Sequence, residues 1–76
     1  MNKKDIVNLI DIGDVTLEYG NNEIFIDPRS DGNCNWLFLL GYKDIDNEYL
    51  TVDDLMSDLV IDGKSINEIC GELELA

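Results

Sequence analysis

The sequence predicts a small α+β fold: a short N-terminal helix, a β-hairpin with a possible third strand, and two acidic C-terminal helices packed on the sheet. Three observations predict it. Apolar and polar residues alternate over residues 15–19, apolar residues recur with helical spacing after Thr51, and the chain has 76 residues, of which 45% are apolar. A chain of this length forms one domain, so residues 1–76 are expected to share a single core.

The first predicted element is a helix over residues 3–10. Asn2 is a favourable N-cap, and Ile6, Leu9 and Ile10 fall on one side of the helix. Gly13 follows closely, and glycine is common where helices end. We therefore expect a short helix with one apolar side.

A β-hairpin is predicted next. Val15, Leu17 and Tyr19 alternate with polar residues, which is the period-two pattern of a half-buried strand. Residues 20–22 read Gly-Asn-Asn and can adopt the positive φ angles of a tight turn. A second strand is then expected over residues 23–27.

The following segment is less determined by its sequence. Residues 28–35 gather Pro, Ser, Asp, Gly and Asn, which indicates a loop. Residues 36–40 are apolar throughout and fit either a third, buried strand or the start of a helix. Periodicity does not separate these two structures in so short a run.

The clearest helical pattern covers residues 52–60. Its apolar residues fall at i, i+3, i+4, i+7 and i+8: Val52, Leu55, Met56, Leu59 and Val60. Thr51 is the predicted N-cap, and Asp54 occupies the acidic position of a capping box. These signals together predict an amphipathic helix with one buried face.

A last helix is predicted over residues 66–73, with Ser65 as N-cap and Glu68 three residues later. Its inward positions would be Ile66, Ile69, Cys70 and Leu73. An alternative is open just before it, because Asp62 and Gly63 are also suited to a hairpin turn.

Charge is the most informative property for function. Five lysines and arginines stand against 17 aspartates and glutamates, with no histidine, and the formal net charge is −12. Residues 1–43 carry seven acids and four bases, a balance of −3, whereas residues 44–76 carry ten acids and one base, a balance of −9. Such self-repulsion weakens a compact state, so a fold that keeps it gains solubility or a basic partner.

The C-terminal acids are therefore the predicted partner-binding residues: Asp44, Asp46, Glu48, Asp53, Asp54, Asp58, Asp62, Glu68 and Glu72. Asp54 and Asp58 are four residues apart in the predicted helix, as are Glu68 and Glu72 in the next one. Like charges at this spacing destabilise a helix. The acids form either a merely soluble surface or a docking face for a strongly basic surface.

Enzymatic activity is not expected. Asp31-Gly32-Asn33-Cys34 resembles the segment that carries the nucleophile of ovarian-tumour-type cysteine proteases. That chemistry requires a histidine to accept the thiol proton, and this chain has none. The surrounding acids would also raise the pKa of a thiol, which makes a reactive thiolate less accessible.

No cofactor and no metal are expected either. Two cysteines without histidine are too few ligands for a structural zinc site. The acids at residues 44–48 lack the glycine and glutamate that a calcium loop places at its sixth and twelfth positions. The apolar runs are shorter than a membrane span, and no signal peptide is apparent, so a cytoplasmic location is expected.

In size, in acidity and in the excess of the acids named above, the chain resembles small phage-encoded DNA mimics and anti-CRISPR proteins. The resemblance is one of class and implies a stoichiometric inhibitor, encoded by a bacterium or its phage. Such a protein would occupy the basic surface of a nuclease or another DNA- or RNA-binding protein, without binding nucleic acid or membranes itself.

Two alternatives remain at this stage. One is a small adaptor or assembly protein with an apolar interface, for which Phe25 would be the anchor if it points away from the buried face of the hairpin. The other is an immunity protein or antitoxin that neutralises a basic toxin. The sequence does not indicate an oligomeric state.

Overall fold

The computed structural model describes residues 1–30 and 32–76, and its main feature is a five-stranded antiparallel sheet with the order β4-β3-β2-β1-β5. The strands are β1 (Val15–Tyr19), β2 (Asn22–Ser30), β3 (Trp36–Tyr42), β4 (Ile45–Tyr49) and β5 (Glu74–Leu75). The helices are α1 (Lys3–Ile12), α2 (Val52–Ser57) and α3 (Ile66–Ile69), and a 3₁₀ turn (Cys70–Glu72) follows α3.

The predicted fold class was wrong. A hairpin followed by two long acidic helices is replaced by a sheet of five strands and three short helices. The difference lies in the second half of the chain, where β4 and β5 form from segments that the sequence did not mark as strands. β4 pairs with the more apolar β3, and β5 pairs with β1, so pairing with a neighbouring strand rather than local preference forms them.

The first half of the chain follows its local signals. The side chain of Asn2 accepts a hydrogen bond from the Asp5 amide, and Asp5 returns one to the Asn2 amide, so both begin α1 as a capping box. The helix continues to Ile12, two residues beyond the predicted end. Tyr19 pairs with Asn22 across a two-residue turn in which Gly20 has a φ of 61°.

The apolar run at residues 36–40 belongs to a strand. It forms most of β3, which pairs with β2 on one side and with β4 on the other. The loop predicted over residues 28–35 is shorter than expected, because β2 extends to Ser30. Pro28 is tolerated there because the pairing of β2 with β1 ends at Ile26. No residue of β1 is left opposite Pro28 to accept the backbone hydrogen bond that proline cannot donate.

The predicted helix over residues 52–60 was too long. α2 ends at Ser57, and Asp58 is extended with a ψ of 138°. Leu59 is consequently 59% exposed instead of buried. Asp54 and Asp58 therefore do not form the predicted pair within one helix.

The chain leaves the helix early because it turns back on itself. Ile61 and Lys64 exchange both backbone hydrogen bonds across Asp62 and Gly63, which have φ angles of 54° and 82°. The alternative of a hairpin turn at Asp62 and Gly63 is thus confirmed. The turn carries Ile61 into the core, where it is completely buried.

The last predicted helix is also shorter than expected. α3 comprises only Ile66–Ile69, and the 3₁₀ turn follows it directly. Ser65 and Glu68 form the predicted capping box. Glu68 and Glu72 consequently do not lie on successive turns of one α-helix.

One hydrophobic core lies between the helices and one face of the sheet. Its buried members come from the three α-helices, from three strands and from the segments before and after α3: Ile6, Ile10, Val15, Leu17, Ile24, Ile26, Leu40, Tyr42, Leu55, Met56, Ile61, Ile66, Ile69 and Leu73. In the strands these residues recur at every second position, so the intervening residues face away from the core.

We expect Leu55→Ala and Leu59→Ala to differ sharply. Leu55 is fully buried and Leu59 is 59% exposed, although helical periodicity places them on the same face. Leu55→Ala should lower the free energy of unfolding by about 2–5 kcal/mol, since it leaves a cavity in the core. Leu59→Ala should change it by less than about 0.5 kcal/mol. Urea denaturation of both variants measures this, and equal losses would contradict the early end of α2.

Candidate functional site

The sheet has a second face that the core does not cover. Directly paired residues on neighbouring strands lie on the same face, so the strand registers define this surface. We call it the open face, and its residues are Thr16, Glu18, Glu23, Phe25, Asp27, Arg29, Leu37, Leu39, Gly41, Asp46, Glu48 and Glu74. All of them are exposed or half-buried.

The open face is strongly acidic. Among its residues are six acids and one base, Arg29, which gives the face a formal charge of −5. The other bases, Lys3, Lys4, Lys43 and Lys64, lie in α1 or in turns. The fold therefore separates most of the positive charge from this surface.

Three glutamates stand side by side across the open face. Glu74 pairs with Glu18, and Glu18 pairs with Glu23, so the three occupy neighbouring positions on β5, β1 and β2. Residues paired in this way have Cβ atoms about 5 Å apart, and like charges in direct opposition destabilise a sheet. This glutamate row is thus a feature that opposes folding.

Two further carboxyl groups, those of Asp14 and Asp27, lie close together next to the start of β1. The hydrogen bond between the Asp14 and Asp27 side chains, together with the charge of Asp27, raises the pKa of Asp14. The same hydrogen bond and a further one from Arg29 lower the pKa of Asp27. Arg29 Nε donates to Asp27 Oδ2 at 2.6 Å, which fixes the guanidinium beside the pair.

Phe25 lies at the centre of this acidic surface. It is 53% exposed and pairs with Thr16 on one side and Gly41 on the other. A methyl group at Gly41 would lie 3.8 Å from Phe25 Cβ and 3.6 Å from Asp46 Oδ1. Because residue 41 is a glycine, it places no side chain between the phenyl group and the Asp46 carboxylate. Phe25 is thus an exposed aromatic group on the open face.

The predicted acids do not form one surface. Asp46 and Glu48 lie on the open face, and Asp44 lies in the turn between β3 and β4. The remaining six are in or beside the helices and turns of the other side: Asp53, Asp54, Asp58, Asp62, Glu68 and Glu72. The structure thus divides the nine residues between two sides of the molecule.

Two of the helix-side acids hold the fold together. Asp58 accepts a hydrogen bond of 2.7 Å from the Tyr49 hydroxyl, and Asp62 accepts one of 2.8 Å from the Tyr42 hydroxyl. Lys43 Nζ lies 3.1 Å from the other oxygen of Asp62. Burial of the rings and the hydrogen bonds to the aspartates raise the pKa of both tyrosines.

Two further predicted acids also have structural partners. Glu68 accepts hydrogen bonds from the amide and the hydroxyl of Ser65, and so fixes the start of α3. Asp53 Oδ1 lies 3.5 Å from Lys3 Nζ, in an exposed ion pair between α2 and α1. These contacts give the acids a role that does not require a partner protein.

Sequence reasoning missed four acids of the open face: Glu18, Glu23, Asp27 and Glu74. The signal for the first three was present, because the alternation that buries Leu17 and Ile24 places their neighbours on the opposite face. The prediction used the charge balance of each half of the chain, which does not distinguish the two faces of a strand.

An apolar cleft lies on the other side of the sheet. It has a volume of about 400 Å³ and is lined mainly by the end of α1 and by strands β2 and β3. Ile12 and Trp36, at its mouth, are 85% and 57% exposed. Among the described residues that line it, Asp11 is the one that carries a charge.

The chemistry of the cysteines is limited to two free thiols, Cys34 exposed and Cys70 half-buried. Asp31, the first residue of the protease-like segment, lies outside the described residues. Across residues 1–30 and 32–76, no group of three or more His, Cys, Asp or Glu side chains is arranged to hold a metal ion. In the same described residues, no helix has the length and apolar character needed to span a membrane.

Comparison of the chain with models of protein families, with curated proteins and with solved structures found no significant match.

Asp62→Asn should lower the melting temperature at pH 7. Hydrogen bonds from Tyr42 and Lys43 hold the pKa of Asp62 below its ordinary value of 3.8. Its carboxylate therefore stabilises the fold above that pH, and the contribution is lost as the pH falls through the folded pKa. We expect the wild-type and the variant melting temperatures to converge between about pH 4 and pH 2. Glu72→Gln is the control for the same loss of charge, and an equal deficit at pH 2 and pH 7 would contradict this role.

Glu18→Lys should stabilise the protein. It replaces two unfavourable cross-strand contacts, with Glu23 and with Glu74, by two favourable ones. We expect the free energy of unfolding to rise by up to about 1 kcal/mol at low salt. The gain should shrink at high salt, where the charges are screened. Glu72→Lys, with the same change in net charge, should give a smaller gain; an equal gain would mean that net charge alone is responsible.

Proposed function

We propose that the protein is a non-enzymatic, stoichiometric inhibitor. Its acidic surface occupies the basic nucleic-acid-binding surface of another protein, such as a nuclease complex. The observation that carries the proposal is the glutamate row on the open face. Three carboxylates held in direct opposition weaken the free protein, and this arrangement becomes favourable only when cations approach it.

The arrangement of the carboxylates in a row suits this role. Duplex DNA presents one negative charge per about 1.7 Å of helix axis, and proteins that bind it present rows of Lys and Arg to those phosphates. Cross-strand carboxylates about 5 Å apart offer the same cations a comparable series of partners. The complementary fields also speed association at low salt.

The two sides of the molecule contribute differently. We assign the direct contact to the open face, including Asp46 and Glu48 from the predicted set. The helix-side acids, several of which have partners within the fold, add to the net charge of −12 and thus to long-range attraction.

A second candidate function is an adaptor with an apolar interface. Its specific support is the cleft beside Ile12 and Trp36, whose exposed side chains are large and apolar. In that case the net charge maintains solubility, and changes on the open face would leave binding intact. An immunity protein against a basic toxin would share the physics of the first proposal.

The experiment compares two double variants with the same change in charge. Glu18→Lys with Glu23→Lys alters the open face, and Asp54→Lys with Glu72→Lys alters the helix side. A partner is captured from a bacterial lysate at about 50 mM salt, and its nucleic-acid binding is measured with each variant present. We expect the open-face variant to bind about a hundredfold more weakly, because like charges at an interface cost several kcal/mol. The helix-side variant should lose much less.

Salt gives an independent test of the same proposal. Affinity should fall steeply between about 50 and 500 mM salt, since the interaction is screened over that range. Full inhibition by a folded open-face variant, or an affinity that salt does not change, would favour the apolar adaptor.

A further inference from the structure

We infer that the partner surface is a groove that binds single-stranded nucleic acid. The inference rests on the proposed function and narrows the partner to one class. It follows from the position of an exposed aromatic ring within the carboxylates of the open face.

On the open face, β2 presents an acid, an aromatic ring and a second acid in succession. Glu23, Phe25 and Asp27 occupy alternate positions, so they lie on one face and about 7 Å apart. The middle residue is 53% exposed, each acid beside it presents a carboxylate, and Asp27 also pairs with Arg29. The order of groups is that of a base between two phosphates.

Proteins that bind single strands recognise this combination of groups. They join a positively charged groove, which follows the backbone, to aromatic side chains on which the bases stack. The phenyl ring of Phe25 is 53% exposed and can stack on such a platform, and Glu23 can meet the cations beside it. Asp27, which already pairs with Arg29, adds its carboxylate on the other side. Glu18 on β1 extends the acidic surface on one side of β2, and Asp46 on β4 extends it on the other side, beyond Gly41 of β3.

A partner surface that binds intact duplex would account for the carboxylates of the open face but not for its exposed phenyl ring. In a duplex the bases are stacked inside, and the dominant contacts are made by Lys and Arg with phosphates. A row of carboxylates alone would mimic those phosphates. The exposed phenyl ring of Phe25, beside the carboxylates, would then meet strongly hydrated cations and gain little from burial.

The position of the ring is set by the sheet. Phe25 faces Gly41 across the strand pair, and a larger side chain at Gly41 would contact both the phenyl group and the Asp46 carboxylate. Glycine leaves the ring and the carboxylate adjacent, with nothing between them. The aromatic group and its flanking charges are therefore presented together on a rigid element.

The test uses two lysine-rich heptapeptides as probes for the partner. One peptide contains two tryptophans. The second is the matched control, in which alanine replaces both tryptophans. Each is titrated into the isotope-labelled protein at about 50 mM salt and followed by NMR. The wild-type protein should bind the tryptophan peptide at least about tenfold more tightly, as expected for aromatic stacking, with the largest shifts around Phe25.

Three variants separate stacking from other contacts. Phe25→Ala should abolish the preference for tryptophan, and Phe25→Leu, which keeps an apolar side chain without a ring, should lose most of it. Thr16→Ala, which changes the cross-strand neighbour of Phe25 on β1, should keep it. Melting curves establish that each variant is folded.

The outcomes distinguish the two proposals. Equal binding of both peptides would overturn the single-strand inference and leave the charge-based inhibitor standing. No binding of either peptide at low salt would contradict the inhibitor proposal as well. A tryptophan preference that survives Phe25→Ala, with shifts around Trp36, would place aromatic recognition in the cleft and overturn the inference.

Discussion

One-sided burial of the sheet is the constraint on which the rest of the molecule depends. Helices cover one face, so β2 must place Ile24 and Ile26 in the core and every intervening residue in water. A slip of one residue would exchange these two sets and bury carboxylates. The pairing that protects the core therefore also fixes the chemistry of the open face, and the position of Phe25 follows from the burial of its neighbours.

The sequence predicted the elements whose signals are local. The cap at Asn2, the turn at Gly20 and the capping box at Ser65 each depend on a few adjacent residues. β4 escaped prediction because two acids and an asparagine interrupt it, and such residues are disfavoured in strands unless a neighbouring strand pairs with them. β5 has only two residues and exists through its pairing with β1. The end of α2 was missed because the turn at Asp62 and Gly63 overrides the helical periodicity.

The candidate site was only partly predictable for a related reason. Net charge is a property of the composition, whereas a binding surface depends on which strands become neighbours. Glu18 and Glu74 are far apart in the chain and directly opposed in the sheet. Acids that the sequence grouped together, such as Asp46 and Asp62, serve different purposes: one faces solvent on the open face, and the other ties the turn that follows α2 to Tyr42. Alternation in β1 and β2 was visible, but the cross-strand partners were not.

The acids on the two edge strands also affect how copies of the protein interact with one another. An antiparallel sheet with uncovered edges can recruit another strand, and this is a common route to aggregation. Here the outer strands carry Asp46 and Glu48 at one edge and Glu74 at the other. Two copies that approach edge to edge would bring these carboxylates together. Each copy also has a net charge of −12, so the two molecules repel each other. The repulsion that weakens each copy also discourages the pairing of one sheet with another.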